Sequence, residues 1–337
     1  MKVITIDALR QIVERLGQKA FMREVIAAQE EDMGRWDEFQ KSPRHAVHYP
    51  HGVIELMPCA DDTLYAFKYV NGHPKNTREG KLSVIALGLL TEVDSGYPLM
   101  LSEMTLLTAF RTAATTALGA KYLARANSQH LALIGTGAQA EFQLLACQSV
   151  LPLHTVSYYD CDPQAMDKFA IHAQTAVDKL IPCTDIAEAV AEADMVITAT
   201  AAKKKNRLLS HQMVRPGTHI NGLGGDCPGK TELDPALLDH CKIVVEYLEQ
   251  SREEGEIQNL GGAHIHGELR ELINGSKPGR ENDQEITLLD SVGFALEDFS
   301  ILRLVYRLAQ ELQIGHELEL MPSLSDPKNL FSLLKVS

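Results

Sequence analysis

Apolar positions along this chain fall into two textures. Residues 7–40 predict two helices, the second running through Phe21-Met22-Arg23-Glu24-Val25-Ile26-Ala27-Ala28. From about 44 to 101 the pattern turns to strands, clearest in Gly52-Val53-Ile54-Glu55-Leu56-Met57 and Leu64-Tyr65-Ala66-Phe67-Lys68-Tyr69-Val70. Residues 83–91 and 97–101 flank Asp94-Ser95-Gly96, a hairpin signal, because short polar residues and glycine accept tight-turn geometry. A long helix rich in Ala, Thr and Leu follows over 104–123. Beyond the polar interruption Asn127-Ser128, strands at 131–134, 155–159, 194–199, 218–223, 242–246 and 285–289 alternate with helical segments. That alternation predicts a parallel sheet covered by helices on both faces. A last helix over 293–312, with Phe294, Leu296, Phe299, Leu302, Val305 and Leu308, is expected to return to the N-terminal body. The expected fold is α/β: a doubly wound Rossmann-type domain over 127–304, and a discontinuous α+β domain from 1–126 plus about 305–337.

One segment carries chemistry as well as structure. The apolar run Leu131-Ala132-Leu133-Ile134 stops at Gly135-Thr136-Gly137-Ala138-Gln139-Ala140, which opens into a helix. Strand, glycine turn and helix in that order are the context a dinucleotide fingerprint needs. Gly135 permits the turn, and Gly137 lets the backbone approach a pyrophosphate. The helix N-terminus then offers N–H groups to that anion. Ala140 stands at the third glycine position, where a small residue suffices. About twenty residues on, Thr155-Val156-Ser157-Tyr158-Tyr159 ends at Asp160, placed to bind the adenosine ribose. Cys161, Asp162 and Pro163 follow, with no Arg, so the carboxylate would repel a 2′-phosphate and NAD is favoured over NADP.

Composition narrows the partners. The 337 residues suit about two domains, and 45% apolar content is ample for their cores. A net charge of −13 argues against nucleic acid or an anionic membrane as partner. The first residues lack the apolar core of a signal peptide, and no apolar run reaches membrane-span length. Six cysteines without CxxC spacing suit free thiols in a reducing cytoplasm.

Several polar clusters could line a substrate pocket beside the sheet. Gly224-Gly225-Asp226-Cys227-Pro228-Gly229-Lys230 directly follows a strand; there Asp226 could move protons, or the loop could be an ordinary solvated turn. Glu55 and Lys68 are charges within apolar strands, which points either to pairing or function in the interior or to the wet face of a half-exposed sheet. Arg111, in Phe110-Arg111-Thr112-Ala113-Ala114, is either a structural ion pair or an anion clamp; Arg44 joins this group. His45, His48 and His51 invite a metal reading, but odd spacing on a strand throws successive side chains to opposite faces, and no metal is expected. Lys203-Lys204-Lys205 reads as a solvated loop.

Taken in order, these motifs resemble the family of ornithine cyclodeaminases, mu-crystallin and related imine reductases. The carrying stretches are GVIELMP (52–58), YAFKYVNGHPKNT (65–77), DSGYP (94–98), FRTAATTALGAKYLAR (110–125), LIGTGAQAEFQ (133–143), NGLGGDCPGKTEL (221–233), VVEYLEQSREEGEIQ (244–258) and DSVGFALEDF (290–299). The resemblance implies conversion of L-ornithine to L-proline and ammonia, with NAD consumed and regenerated in one turnover. It implies a homodimer built through the discontinuous domain, which also binds substrate. Asp226 would donate and accept the proton, and Glu55 would meet the substrate amine. Arg44, Lys68 and Arg111 would surround the α-carboxylate, with Val292 lining the pocket. Ser83, Arg111, Gly135, Thr136, Gly137, Ala138, Gln139, Asp160, Thr200, Asn221, Gly222, Leu223, Lys230 and Ser291 would contact NAD. Ser83 stands where the family often has Thr, keeping the hydroxyl. Two other readings stay open: an amino-acid dehydrogenase or cyclic imine reductase with net redox, and a non-catalytic binding protein of the mu-crystallin type.

Overall fold

A computed structural model describes residues 1–201, 205–225, 227–260 and 265–334. Its first helix, Ile6–Leu16, is started by Thr5, whose hydroxyl accepts from the Ala8 N–H, and is ended by Gly17 at φ +84°. A second helix, Gln18–Gly34, follows immediately. The strand region then folds into a mostly antiparallel sheet. Its order is His316–Glu317, Lys2–Ile4, Pro98–Glu103, Ala86–Glu92, Leu64–Gly72, Gly52–Ala60 and Gln40–Lys41, with His45–Tyr49 also paired to Gly52–Ala60. The hairpin expected at 94–96 is present: Ala86–Glu92 pairs antiparallel with Pro98–Glu103, and Gly96 turns at φ +71°.

Alternation along the strands decides which face is covered. Glu55, Met57 and Cys59 are buried, as are Ala66, Lys68 and Val70 on the neighbouring strand, while Leu56 and Tyr65 point outward. The inner face packs on Gln18–Gly34, Thr105–Leu123 and Ala295–Glu311, in one core that includes the edge-to-face pairs Phe21–Phe110 and Phe39–Phe299. The helix Ala295–Glu311 contributes to this core from its first turn. We therefore place the chain's return to the first body at 291–294.

The second sheet has eight parallel strands in the order Lys179–Pro182, Thr155–Tyr159, His130–Ile134, Met195–Thr198, His219–Gly222, Ile286–Asp290, Cys241–Val245 and Ile265–Glu268. From His130–Ile134 the chain winds outward to one edge through Thr155–Tyr159 and Lys179–Pro182, and to the other side through Met195–Thr198 and His219–Gly222, with the late strand Ile286–Asp290 inserted before Cys241–Val245. A crevice therefore opens at that strand's carboxyl end, the switch point at which such sheets bind ligands. The two edge strands escape the apolar pattern because one ends in Pro182 and the other reads Ile265-His266-Gly267-Glu268, too short and polar to stand out. A small two-stranded sheet, Lys205–Leu209 with Thr231–Leu233, sits beside the crevice loops.

Candidate active site at the join of the two bodies

The glycine turn has the form its sequence demands. Gly135 adopts φ +101°, and a Cβ there would lie 2.6 Å from the Ala199 carbonyl oxygen, so only glycine fits. At Gly137 a Cβ would meet nothing within 4 Å, so the backbone borders open space. The helix Ala140–Cys147 starts directly after, from Gln139, without a side-chain cap, leaving its first N–H groups for an anion. Ala138 is exposed beside Gly137. Asp160 reaches across from the next strand and accepts from the Thr136 N–H at 2.7 Å. An open-sided glycine turn, an uncapped helix start and a carboxylate at the ribose position form a cradle that fits NAD.

Of the other expected cofactor contacts, Thr200, Leu223 and Ser291 lie just past the carboxyl ends of strands of the second sheet, and several are engaged with the protein itself. Thr200 gives its N–H to Glu232 at 3.0 Å and its hydroxyl to the same oxygen, and Lys230 donates to the Thr200 carbonyl at 3.0 Å. Asn221, fully buried, donates to Thr116 on the helix Thr105–Leu123, while its own carbonyl oxygen has no hydrogen-bond partner among the described residues. The Ser291 N–H bonds the Gly222 carbonyl at 2.9 Å, and Leu223 N–H bonds Thr198. Ser83 lies on the connection before Ala86–Glu92; its carbonyl accepts from His73 N–H, and its hydroxyl bonds to nothing among the described residues.

Glu55 and Lys68 point into the interior, so their strands' wet face is not their place. Arg44 donates to both oxygens of Glu55 at 3.2 Å, and its other terminal nitrogen donates to the Val292 and Gly293 carbonyls at 2.6 and 2.7 Å. Its Nε lies 3.4 Å from Glu254. Lys68 donates to Asp298 Oδ1 at 2.7 Å. Arg111 donates to Glu297 at 2.6 Å, and its Nε lies 3.2 Å from the same Asp298 oxygen. Arg44, Glu55, Lys68, Arg111 and Val292 thus meet where the returning segment passes between the bodies.

That segment is held from both sides. Glu246, at the end of Cys241–Val245, accepts from the Ser291 hydroxyl and from the N–H groups of Val292 and Gly293 at 3.1 and 2.7 Å. Gln250 donates to the Gly293 carbonyl at 2.6 Å. Gly293 itself adopts φ +81°, and a Cβ there would sit 2.4 Å from Arg111 Nη1. Burial pushes the Glu246 carboxyl up, and burial together with the nearby Glu246 charge pushes Glu297 up, while Arg111 pulls it back.

Asp226 lies outside the described residues, as do Lys203 and Lys204. Its neighbours are firmly placed. The Gly225 carbonyl accepts from Gly255 N–H at 2.6 Å, and a Cβ on Gly224 would overlap the Glu232 carboxyl at 1.8 Å. Glu256 accepts from the N–H groups of Glu232 and Leu233, and Asp290 accepts from Glu256 and Ile257. Burial, then the Asp290 charge, lifts Glu256 to about 8, and burial lifts Asp290 to about 7.

The sequence pattern did not single out Glu246, which holds the returning segment, nor the acids that face the cations, Glu254, Glu297 and Asp298. The last two carry the signal that exposed Glu55 and Lys68, charge inside an apolar stretch, here Phe294-Ala295-Leu296-Glu297-Asp298-Phe299.

A glycine cradle, a carboxylate at the end of the next strand and buried charges at a domain join fit the class of nicotinamide-dinucleotide enzymes. The chain belongs to the ornithine cyclodeaminase/mu-crystallin family, whose model it matches over residues 7–313. An ornithine cyclodeaminase of Agrobacterium fabrum is 47% identical to it over 331 residues, 98% of this chain and 94% of the relative. A lysine cyclodeaminase structure concerned with recognition of L-lysine, L-ornithine and L-2,4-diaminobutyric acid superposes with TM-score 0.92 at 30% identity, over 99% of each chain. An archaeal alanine dehydrogenase dimer with bound NAD gives TM-score 0.88 at 33% identity, covering 95% of this chain and 99% of the other.

Proposed function

We propose that this protein is an NAD-dependent cyclodeaminase, a lyase that converts L-ornithine to L-proline and ammonia without net redox change. The observation that carries the reading is the convergence of three cations, Arg44, Lys68 and Arg111, with Glu55 beside the dinucleotide cradle. The 47% identity to ornithine cyclodeaminases over nearly the whole chain supports the same substrate.

NAD, held by the glycine turn, Asp160 and the crevice residues named above, supplies reversible hydride acceptance at the substrate's α-carbon. The chain's own groups do the rest. Guanidinium forks on Arg44 and Arg111 match a carboxylate bidentately, and Lys68 adds a point charge, so together they fix the α-carboxylate. Hydride can leave the α-carbon only when the α-amine is neutral, so a carboxylate must take its proton; Glu55 meets the amine and Asp226 shuttles the proton. Once the α-carbon is an imine, the δ-amine attacks it, ammonia leaves, and the cyclic imine is reduced at the same carbon. Both groups belong to one molecule, so the closure is intramolecular, and a pocket that holds the diamine folded keeps the δ-nitrogen oriented on the imine carbon. A closed pocket keeps water from the imine.

The working unit is a homodimer. The outward face of the first sheet carries Val47, Leu56, Tyr65 and Leu87, each 40% exposed or more, with Leu56 and Leu87 on either side of Tyr69 in the strand register. A second copy covering this apolar surface would make it an interface. No disulfide joins the six cysteines, which suits the reducing cytoplasm in which we place the enzyme. Incubation with a trace of NAD and either L-ornithine or L-lysine, followed by identification of the cyclic product, tests the assignment. Proline from ornithine supports it; a 2-oxo acid with stoichiometric NADH marks a dehydrogenase instead.

A further inference from the structure

Buried lysines are rare unless paired, and Lys68 is fully buried on the inner face of the first sheet. Its strand neighbours cannot hold it: Met57 stands opposite on one side and Gly88 on the other. The group that reaches it comes from 230 residues away, Asp298 in the first turn of the helix Ala295–Glu311. A carboxylate there is favoured by the helix N-terminus. The same oxygen, Oδ1, lies within 3.2 Å of Arg111 Nε, while Oδ2 is buried with no hydrogen-bond partner among the described residues.

We infer that Asp298 is a positioning residue that works through Lys68, holding its ammonium charged and aimed beside Arg111 so that the two cations receive the substrate carboxylate together. This deepens the cyclodeaminase reading and rests on it. Without Asp298 the two cations would face each other with one anion fewer between them. Arg111 would keep Glu297, whereas Lys68 would keep no bonded anion among the described residues.

The charged and titratable groups around Lys68 set the direction. Asp298 faces it from one helix, with Glu297 next to it bonded to Arg111; Arg111 comes from Thr105–Leu123, Arg44 from the segment before His45–Tyr49, and Glu55 and Cys59 share the buried face of the adjoining strand. Burial first, then the Arg111 charge, pushes the Lys68 ammonium down to about 8, while Asp298 pulls it up. Lys68 is therefore charged below that pH and neutral above it, so carboxylate affinity is lost as pH rises through about 8.

The test measures binding of L-proline, whose amine stays protonated over this range, to the NADH-loaded enzyme from pH 6.5 to 9.5, with NAD affinity and ornithine kinetics alongside. In the wild type, affinity should fall above pH about 8. Asp298→Asn should weaken L-proline binding at pH 7 by more than about fivefold, raise the KM for ornithine more than it lowers kcat, and move the fall to lower pH, with NAD affinity held within about twofold. Unchanged affinity and an unmoved pH profile in Asp298→Asn, with only a lower melting temperature, overturn the inference. Should that variant not fold, Lys68→Met and the double variant Lys68→Met/Asp298→Asn decide, because the double change leaves no buried Lys unpaired. If Asp298 works through Lys68, the double variant binds L-proline within about fivefold of Lys68→Met; a larger further loss overturns it. Failure to form proline from ornithine in the wild type is a separate outcome that strikes the function itself.

Discussion

Gly293→Ala adds one methyl group where the account needs space most. The residue sits at φ +81°, a conformation costing an L-residue about 1–2 kcal/mol. The new Cβ would lie 2.4 Å from Arg111 Nη1 and 2.9 Å from Nη2, and ordinary contact begins at 3.4 Å. Relief therefore requires the Arg111 guanidinium, now 2.6 Å from a Glu297 oxygen, to move by about 1 Å. Overpacking of this kind costs about 1–3 kcal/mol, so stability should fall by about 2–5 kcal/mol in all. A misplacement of about 1 Å in a substrate-positioning group costs about a hundredfold in rate. Gly17→Ala is the control: at φ +84° it too is strained, but its Cβ would meet nothing within 4 Å. Melting temperature, NAD affinity and ornithine kinetics on both variants separate the effects. Gly17→Ala should lose only the strain component of stability and keep its kcat/KM. Gly293→Ala should lose stability and, unlike the control, about a hundredfold in kcat/KM. If both variants keep wild-type kcat/KM, Arg111 does not clamp the substrate.

Three further outcomes follow from the same arrangement. Asp226→Asn should retain NAD binding and lose about 10²–10⁴ in turnover, measured by single-turnover kinetics; more than a tenth of wild-type rate would remove Asp226 from the proton path. Asp160→Ser with Cys161→Arg should raise kcat/KM with NADP, since a carboxylate that repels a 2′-phosphate is replaced by a cation that attracts it; equal use of both cofactors by the unaltered enzyme would refute this role. Arg111→Lys should raise the KM for ornithine although charge is kept, because Lys lacks the planar fork, and putrescine, which has no carboxylate, should be a very poor substrate; a variant with lowered melting temperature and unchanged KM would leave Arg111 a structural ion pair.

How much of this was legible beforehand depended on distance along the chain. The glycine turn, Asp160 and the strands around them are local, and their spacing alone placed the crevice. Glu55 and Lys68 stood out because an apolar strand seldom carries a charge, but alternation could not say which face they took; that needed the three helices that cover the sheet. Their partners are far away, since Lys68 meets Asp298 across 230 positions and Arg111 meets Glu297 across 186. No local period links such pairs. The same holds for Glu246, which is unremarkable in sequence until Ser291, Val292 and Gly293 are folded onto it.

The central claim is that one carbon is oxidised and then reduced again in a single turnover. It is tested most directly with L-ornithine deuterated at the α-carbon, incubated with catalytic unlabelled NAD and followed by mass spectrometry and absorbance. The account predicts proline that keeps the deuterium at C2, equimolar ammonia and no accumulation of NADH. Proline without the label, or NADH rising in step with a 2-oxo acid, would contradict it.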